Sequence, residues 1–301
     1  MTIEQLNAKY RIADQLRFIE GKGGLPMIQV NTDKATALIS IHAGQVLSFR
    51  PGNEAGDIMF LSEKAYYQNG KAIKGGAPIC WPWFGPDPEG KGRPGHGFVR
   101  NRPWNVMGTE LLANGDIKLV LGLTDTPETQ AIWPYSFVLS QEIIISHSLN
   151  LSLITRNTGN QTFTITQAFH TYFKVGNIDQ VKVLGLEGRP YIDKVDNSAQ
   201  KQQVGAVTIN AEVDRIYLDV GNTLTIDDAA MRRRIQIVSQ GSKTAVVWNP
   251  WEKISAEMAD LNDADYRCLL CVETTNAAPD VIQVAPDSEC RLDTNYSVTS
   301  N

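Results

Sequence analysis

Apolar and polar residues alternate along most of the chain, and a period of two is the mark of a strand with one buried face. Over residues 162–170, Phe163, Ile165 and Phe169 share one face with Gln167 as its polar member. Thr162, Thr164, Thr166, Ala168 and His170 make up the other face, which is small and polar. Comparable runs predict strands over 27–30, 35–42, 45–50, 57–60, 117–123, 137–145, 149–156 and 161–169. Others follow over 181–184, 223–226, 235–239, 244–248, 267–273 and 290–298. Turn residues separate several of them: Asn53-Glu54-Ala55-Gly56, Asn114-Gly115-Asp116, Asn157-Thr158-Gly159-Asn160 and Gln240-Gly241-Ser242.

The beginning of the chain reads otherwise. Residues 2–20 predict a helix, with Thr2 and Gln5 spaced as a capping box and Ile3, Leu6, Tyr10, Ala13 and Leu16 as its apolar stripe. Gly21-Lys22-Gly23-Gly24 and Pro26 end it. The expected organisation is an N-terminal helical arm, residues 1–26, packed on one all-β domain, residues 27–301. Many short strands with no further helical period, repeat or linker point to a large antiparallel sandwich or a barrel.

Composition narrows the function classes. Among 301 residues 42 % are hydrophobic and 20 % charged, enough apolar material for a packed core and too little charge for a disordered chain. A net charge of −5 is the wrong sign for non-specific nucleic-acid binding. The start, Met1-Thr2-Ile3-Glu4-Gln5-Leu6-Asn7, lacks a signal-peptide core, and no segment has the apolar length of a membrane span. The four cysteines, Cys80, Cys268, Cys271 and Cys290, form no disulfide framework. Cys268 and Cys271, three apart in a predicted strand, would point to opposite faces. A cytoplasmic monomer with no nucleic-acid or membrane partner is expected.

One segment departs from the strand pattern. Residues 74–86 are crowded with Gly, Pro and Trp, and the irregular stretch runs on to Trp104. Long irregular loops in compact domains are usually functional, and Trp81, Trp83 and Trp104 could offer flat faces to a sugar ring. Such a loop could equally pack its aromatics beneath the sheet. His170 is open in the same way, as a structural histidine or as a group aimed at a wet cleft. Glu273 ends the apolar run Leu269-Leu270-Cys271-Val272, where a carboxylate is expensive to bury without a partner or a job. His42 and His147 lie in no constellation, and Arg232-Arg233-Arg234 reads as a solvated charge run.

Six motifs in order, KGGAPICWPWFGP (74–86), HGFVR (96–100), QAFHTYF (167–173), DRIY (214–217), WNPW (248–251) and CVE (271–273), resemble the glucose-6-phosphate 1-epimerase family. That family is a branch of the aldose 1-epimerase, galactose mutarotase-like superfamily. The resemblance runs from about residue 35 to 273. It implies an antiparallel β-supersandwich with the site on its concave face, and interconversion of the α and β anomers of a hexose 6-phosphate. It implies His170 as general acid and Glu273 as general base, with Arg100 and Asp214 contacting substrate. Lys74 stands where the family usually has arginine, keeping the charge but losing the planar fork that grips phosphate. His96, Trp83 and Trp248, from the same motifs, complete the candidate substrate-binding residues. Anomer exchange requires a base for the C1 hydroxyl proton and an acid for the ring oxygen, so no cofactor is expected. A metal bound by His96, His170 and Glu273 lacks a closely spaced ligand pair, and none is expected. The alternatives are an epimerase of unphosphorylated sugars and a non-catalytic carbohydrate-binding protein.

Overall fold

A computed structural model describes residues 1–52 and 56–300. The predicted turn at Asn53-Glu54-Ala55 lies outside them. The chain opens with α1 (Ile3–Tyr10), β1 (Leu16–Glu20), β2 (Pro26–Asn31), β3 (Ala35–Ser40), β4 (Gln45–Pro51) and β5 (Ile79–Cys80). It continues with β6 (Asn105–Leu111), β7 (Ile117–Thr124), α2 (Pro127–Ile132), β8 (Phe137–Ile145), β9 (Leu149–Asn157), β10 (Phe163–Ile165), β11 (Gln167–Phe169) and β12 (Tyr172–Lys174). Then come β13 (Val181–Leu184), β14 (Pro190–Asp193), β15 (Ala199–Gln202), β16 (Val213–Tyr217), β17 (Thr223–Asp228) and β18 (Arg233–Gln240). It closes with β19 (Thr244–Asn249), α3 (Trp251–Glu257), β20 (Leu269–Asn276), β21 (Ile282–Val284) and β22 (Glu289–Ser300).

These strands pair antiparallel throughout. One eight-stranded sheet runs β13-β17-β18-β22-β9-β8-β7-β6, and the other runs β15-β14-β16-β19-β20-β11-β5 with β12 also on β20. A four-stranded sheet β1-β2-β3-β4 and the pair β10-β21 complete the all-β architecture. The two large sheets pack face to face through side chains that alternate along each strand. Leu270 and Val272 of β20, Ala245 and Val247 of β19, and Val213 and Tyr217 of β16 enter the main core. Hydroxyls cross between the sheets as well: Thr274 Oγ1 donates to Thr294 Oγ1 (3.1 Å), and the Thr171 and Tyr296 hydroxyls bond at 2.6 Å. The other face of β16, β19 and β20 is thereby left to line a cleft.

Three departures from the sequence pattern have physical causes. The predicted helix over 2–20 ends at Tyr10, with the capping box at Thr2 and Gln5 intact. Asp14, at φ 60°, turns the chain back, and Leu16–Glu20 pairs with β2. Leu16 and Phe18 suit a strand face as well as a helix stripe, and the neighbouring strand decides between them. Asn7 then clamps the helix to this strand: its Nδ2 donates to Phe18 O (2.7 Å) and its Oδ1 accepts from Phe18 N (2.9 Å). The helices α2 and α3 are too short to announce a period, although Thr126, Thr129 and Pro127 do mark the start of α2. The strand predicted over 57–60 makes only isolated bridges, such as Met59 with Phe173.

Candidate active site

Strand β20 carries the site. Because Leu270 and Val272 point into the core, Cys271 and Glu273 must point the other way. Its neighbours follow the same rule, so Asp214 and Ile216 of β16 and Val246 and Trp248 of β19 join Glu273 in lining a cleft of about 700 Å³. The register puts Asp214 beside Trp248 and Val246 beside Glu273.

On the opposite flank the strand predicted over 161–169 is broken at Thr166. Phe163–Ile165 pairs with β21, whereas Gln167–Phe169 pairs with β20 and β5. The face assignment survives the break, with Phe163, Ile165 and Phe169 in the core. Phe169 lies opposite Thr274 and Tyr172 opposite Cys271, and this register carries His170, between the paired segments, to Glu273. His170 Nε2 and Glu273 Oε1 are 3.5 Å apart. The two groups stand side by side, not across a sugar-sized gap. The ring of Tyr172 stacks on His170 at 4.9 Å and 12°, and Trp248 meets it edge-on at 6.2 Å.

At 3.5 Å this pair could be ionic or neutral, and burial decides for neutral. Glu273 is 1 % and His170 8 % exposed. Burial raises the Glu273 carboxyl well above its ordinary range; the Asp214 carboxylate adds to this and Arg100 opposes it. Burial lowers His170 well below its ordinary range, with His96, Arg100 and Lys74 acting in the same direction. Burial thus favours the uncharged form of each group, a protonated carboxyl beside a neutral imidazole. Glu273 Oε2, His170 Nδ1 and Arg100 Nε are buried atoms with no hydrogen-bond partner among the described residues. Each such atom costs on the order of 1–3 kcal/mol, a cost tolerated at functional sites.

The irregular loop supplies the third wall. His96 holds a left-handed backbone conformation (φ 62°), locked by reciprocal bonds with Gly85: its N–H donates to Gly85 O (2.7 Å) and its Nδ1 accepts from Gly85 N–H (3.2 Å). Burial first, then the charges of Arg100 and Lys74, push this ring down to about 3, so it is neutral with its proton on Nε2. Gly97, at φ 74°, lets the loop close on Trp81, since a Cβ there would lie 1.8 Å from Trp81 O. Arg100 Nη2 donates to Gly95 O (3.2 Å). Lys74 Nζ lies 3.5 Å from Asp260 Oδ1 and 3.8 Å from Met258 Sδ. Asp214 is pushed up to about 6, chiefly by burial, with Lys194 opposing and Glu212 and Asp193 assisting.

Seven of the eight residues singled out from sequence line this one cleft: His170, Glu273, Lys74, Arg100, Asp214, His96 and Trp248. Trp83 does not. It is buried, its Nε1–H donates to Pro94 O (2.9 Å), its edge meets Phe98, and the Arg93 guanidinium lies over it at 4.3 Å. Trp81 and Trp104 are likewise core residues, tied to Thr155 Oγ1 and Val99 O. The loop packs its tryptophans under the sheet, where their large apolar area is worth most, and presents Phe84 to the cleft instead. Phe84, Tyr172, Lys194 and Met258 line the cleft without having been picked out. Tyr172 stood two residues from His170, where alternation along a strand predicts the same face. Lys194, on the β14–β15 connection, carried no local signal.

Residues 26–297 match the profile of a family described as aldose 1-epimerase. A protein of Escherichia coli K12 provisionally named glucose-6-phosphate 1-epimerase is 35 % identical over 255 residues, 84 % of each chain. One from Cenchrus ciliaris with the same provisional name is 37 % identical over 264 residues, covering 85 % of this chain and 79 % of that one. The crystal structure of a provisionally assigned mutarotase from Salmonella typhimurium superposes with a TM-score of 0.90 at 30 % identity, over 99 % of both chains. A galactose mutarotase-like protein from Clostridium acetobutylicum shares the fold at TM-score 0.72 and 12 % identity, over 95 % of this chain and 98 % of that one.

Proposed function

The chain belongs to the aldose 1-epimerase family, and we propose on that premise that its cleft interconverts the α and β anomers of a hexose 6-phosphate. The observation that carries this reading is the buried His170–Glu273 pair, 3.5 Å apart, in which burial favours the uncharged form of each group. Anomer exchange moves protons on two oxygens, the C1 hydroxyl and the ring oxygen. Both are bonded to C1, so the catalyst must reach two adjacent atoms from one edge of the sugar. Two groups in contact meet that demand better than two groups on opposite sides.

In ring opening, one member of the pair takes the C1 hydroxyl proton as the other protonates the ring oxygen. The C1–O5 bond breaks and an aldehyde forms. Rotation about C1–C2 turns the other carbonyl face to the 5-hydroxyl, and closure returns both protons. Opening moves the pair's single proton from one member to the other, and closing moves it back. The pair thus supplies one acid and one base at every stage: starting from the neutral pair, Glu273 is the acid and His170 the base in opening, the reverse of the roles that the resemblance implies, and the two exchange in closing. His96 Nε2–H and Asp214 hold sugar hydroxyls, and the rings of Phe84 and Trp248 cover its C–H faces. Arg100 and Lys74 take the phosphate.

The test is anomer exchange of freshly dissolved α-glucose 6-phosphate followed by NMR, with the spontaneous rate subtracted. Excess rate that disappears in His170→Asn supports the reading; no excess rate from the parent refutes it. One observation favours a second reading, an epimerase of unphosphorylated sugars: the Asp260 carboxylate already sits 3.5 Å from Lys74. Equal specificity constants for glucose and glucose 6-phosphate would decide for it. A preference for the phosphate that is lost in Arg100→Ala would decide against it.

A further inference from the structure

Anomer exchange has no use for a thiol, yet the register that brings Glu273 to the cleft side of β20 brings Cys271, two residues earlier, to the same side. Ligand atoms of His170, Cys271 and Glu273 all lie within 4.8 Å of one another. Cys271 is fully buried, Glu273 and His170 almost so, and Glu273 Oε2 and His170 Nδ1 are without partners among the described residues. This is not the His96–His170–Glu273 trio, at which no metal was expected; Cys271 takes the place of His96.

One nitrogen, one sulfur and one oxygen form a donor set for a borderline-soft dication. Magnesium and calcium prefer oxygen alone and do not fit it. Zinc binds such atoms at about 2.0–2.3 Å in a tetrahedral arrangement, which sets neighbouring donor atoms about 3.3–3.8 Å apart, so side-chain rotations must draw the three groups together around the ion. Charge also balances. A thiolate and a carboxylate cancel the two charges of the ion, so the loaded set is neutral beside Arg100 and Lys74. The protons of thiol and carboxyl leave to solvent, and nothing is oxidised. Three protein ligands leave a fourth position for water on the cleft side.

We propose that His170, Cys271 and Glu273 form an inhibitory site for Zn²⁺ or a similar thiophilic dication, which stops turnover by occupying both proton-transfer groups. The loss of turnover rests on the reaction proposed above; the binding does not. Two readouts therefore keep the ideas apart. Titration with Co²⁺ alone should give a thiolate-to-cobalt charge-transfer band with tetrahedral ligand-field bands, displaced by Zn²⁺ and removed by a chelator. Zn²⁺ alone should abolish anomer exchange, and the chelator should restore it. Cys271→Ser and Cys271→Ala, checked for folding by circular dichroism, should keep turnover and lose both the cobalt band and the sensitivity to zinc. Cys268→Ser should keep both, since that thiol precedes β20, donates to Asp265 O and is not among the three clustered donors. Absence of the band in the folded parent would overturn the proposal, as would a band and zinc inhibition undiminished in either folded Cys271 variant. A parent that shows the band but no turnover would refute the reaction and leave the metal site standing.

Discussion

Replacing Glu273 by glutamine keeps the shape of the side chain and removes its titration. In the unfolded chain this glutamate titrates near 4.5 and His170 near 6.5. Folding raises the first and lowers the second by burying both. Between the two unfolded values each state holds one proton on the pair, on histidine when unfolded and on glutamate when folded, so the pair adds no slope to stability. Above 6.5 the unfolded pair holds none and the folded pair still holds one. Stability then falls by up to about 1.4 kcal/mol per pH unit until the raised pKa of Glu273 is reached. Below 4.5 the unfolded pair holds two protons and the folded pair one, so stability falls with the same slope as pH drops toward the lowered pKa of His170. In the glutamine variant only the histidine remains. The alkaline loss disappears, and the acid loss begins at the histidine's ordinary value. From 4.5 upward the variant gains on the parent by up to about 1.4 kcal/mol per pH unit. Urea unfolding at closely spaced pH values and constant ionic strength measures this directly. The same variant should lose turnover by about 10²–10⁴-fold. Parallel stability curves for parent and variant would mean that Glu273 ionises as if in water, and the argument for an uncharged pair would fail.

His170→Asn should cost about 10²–10⁴ in kcat, and the double variant with Glu273→Gln should be little worse than the poorer single one, because the two residues act as a unit; additive losses in steady-state kinetics would separate their roles. Asp214→Asn removes a charge that raises Glu273, so the alkaline limb of the kcat/KM profile should move to lower pH, and an unmoved limb would show that the two carboxyls do not communicate. Trp83→Ala should lower stability by about 3–5 kcal/mol in chemical denaturation while leaving KM unchanged, since the indole is a core group; a raised KM in a stable variant would return Trp83 to the substrate.

The Trp83 prediction marks where local reading fails. A tryptophan in a Gly/Pro-rich loop looks the same whether it faces a ligand or the core. What separates Trp83 from Phe84, its neighbour, is that Trp83 reaches Phe98, Pro94 and Arg93, all supplied by chain that returns later. Residues 16–20 show the same limit. Their apolar spacing fits a helix stripe and a strand face, and the partner strand β2 settles the matter.

By itself the sequence determined the all-β class and the face of the 161–169 segment that goes to the core, because strand periodicity is local, and the motifs that resemble the family pointed to seven of the residues that line the cleft. His170 and Glu273 were both legible, the one as a polar residue on an alternating strand, the other as a carboxylate ending an apolar run. Their relation was not. That they touch follows from the pairing of β20 with the segments on either side of His170, contacts about a hundred residues apart in the chain. That the uncharged form of each is favoured follows from burial by both flanks of the cleft. Register and burial are properties of neighbours, so only the tertiary structure could turn two separate candidates into one acid–base pair, and place a thiol beside it.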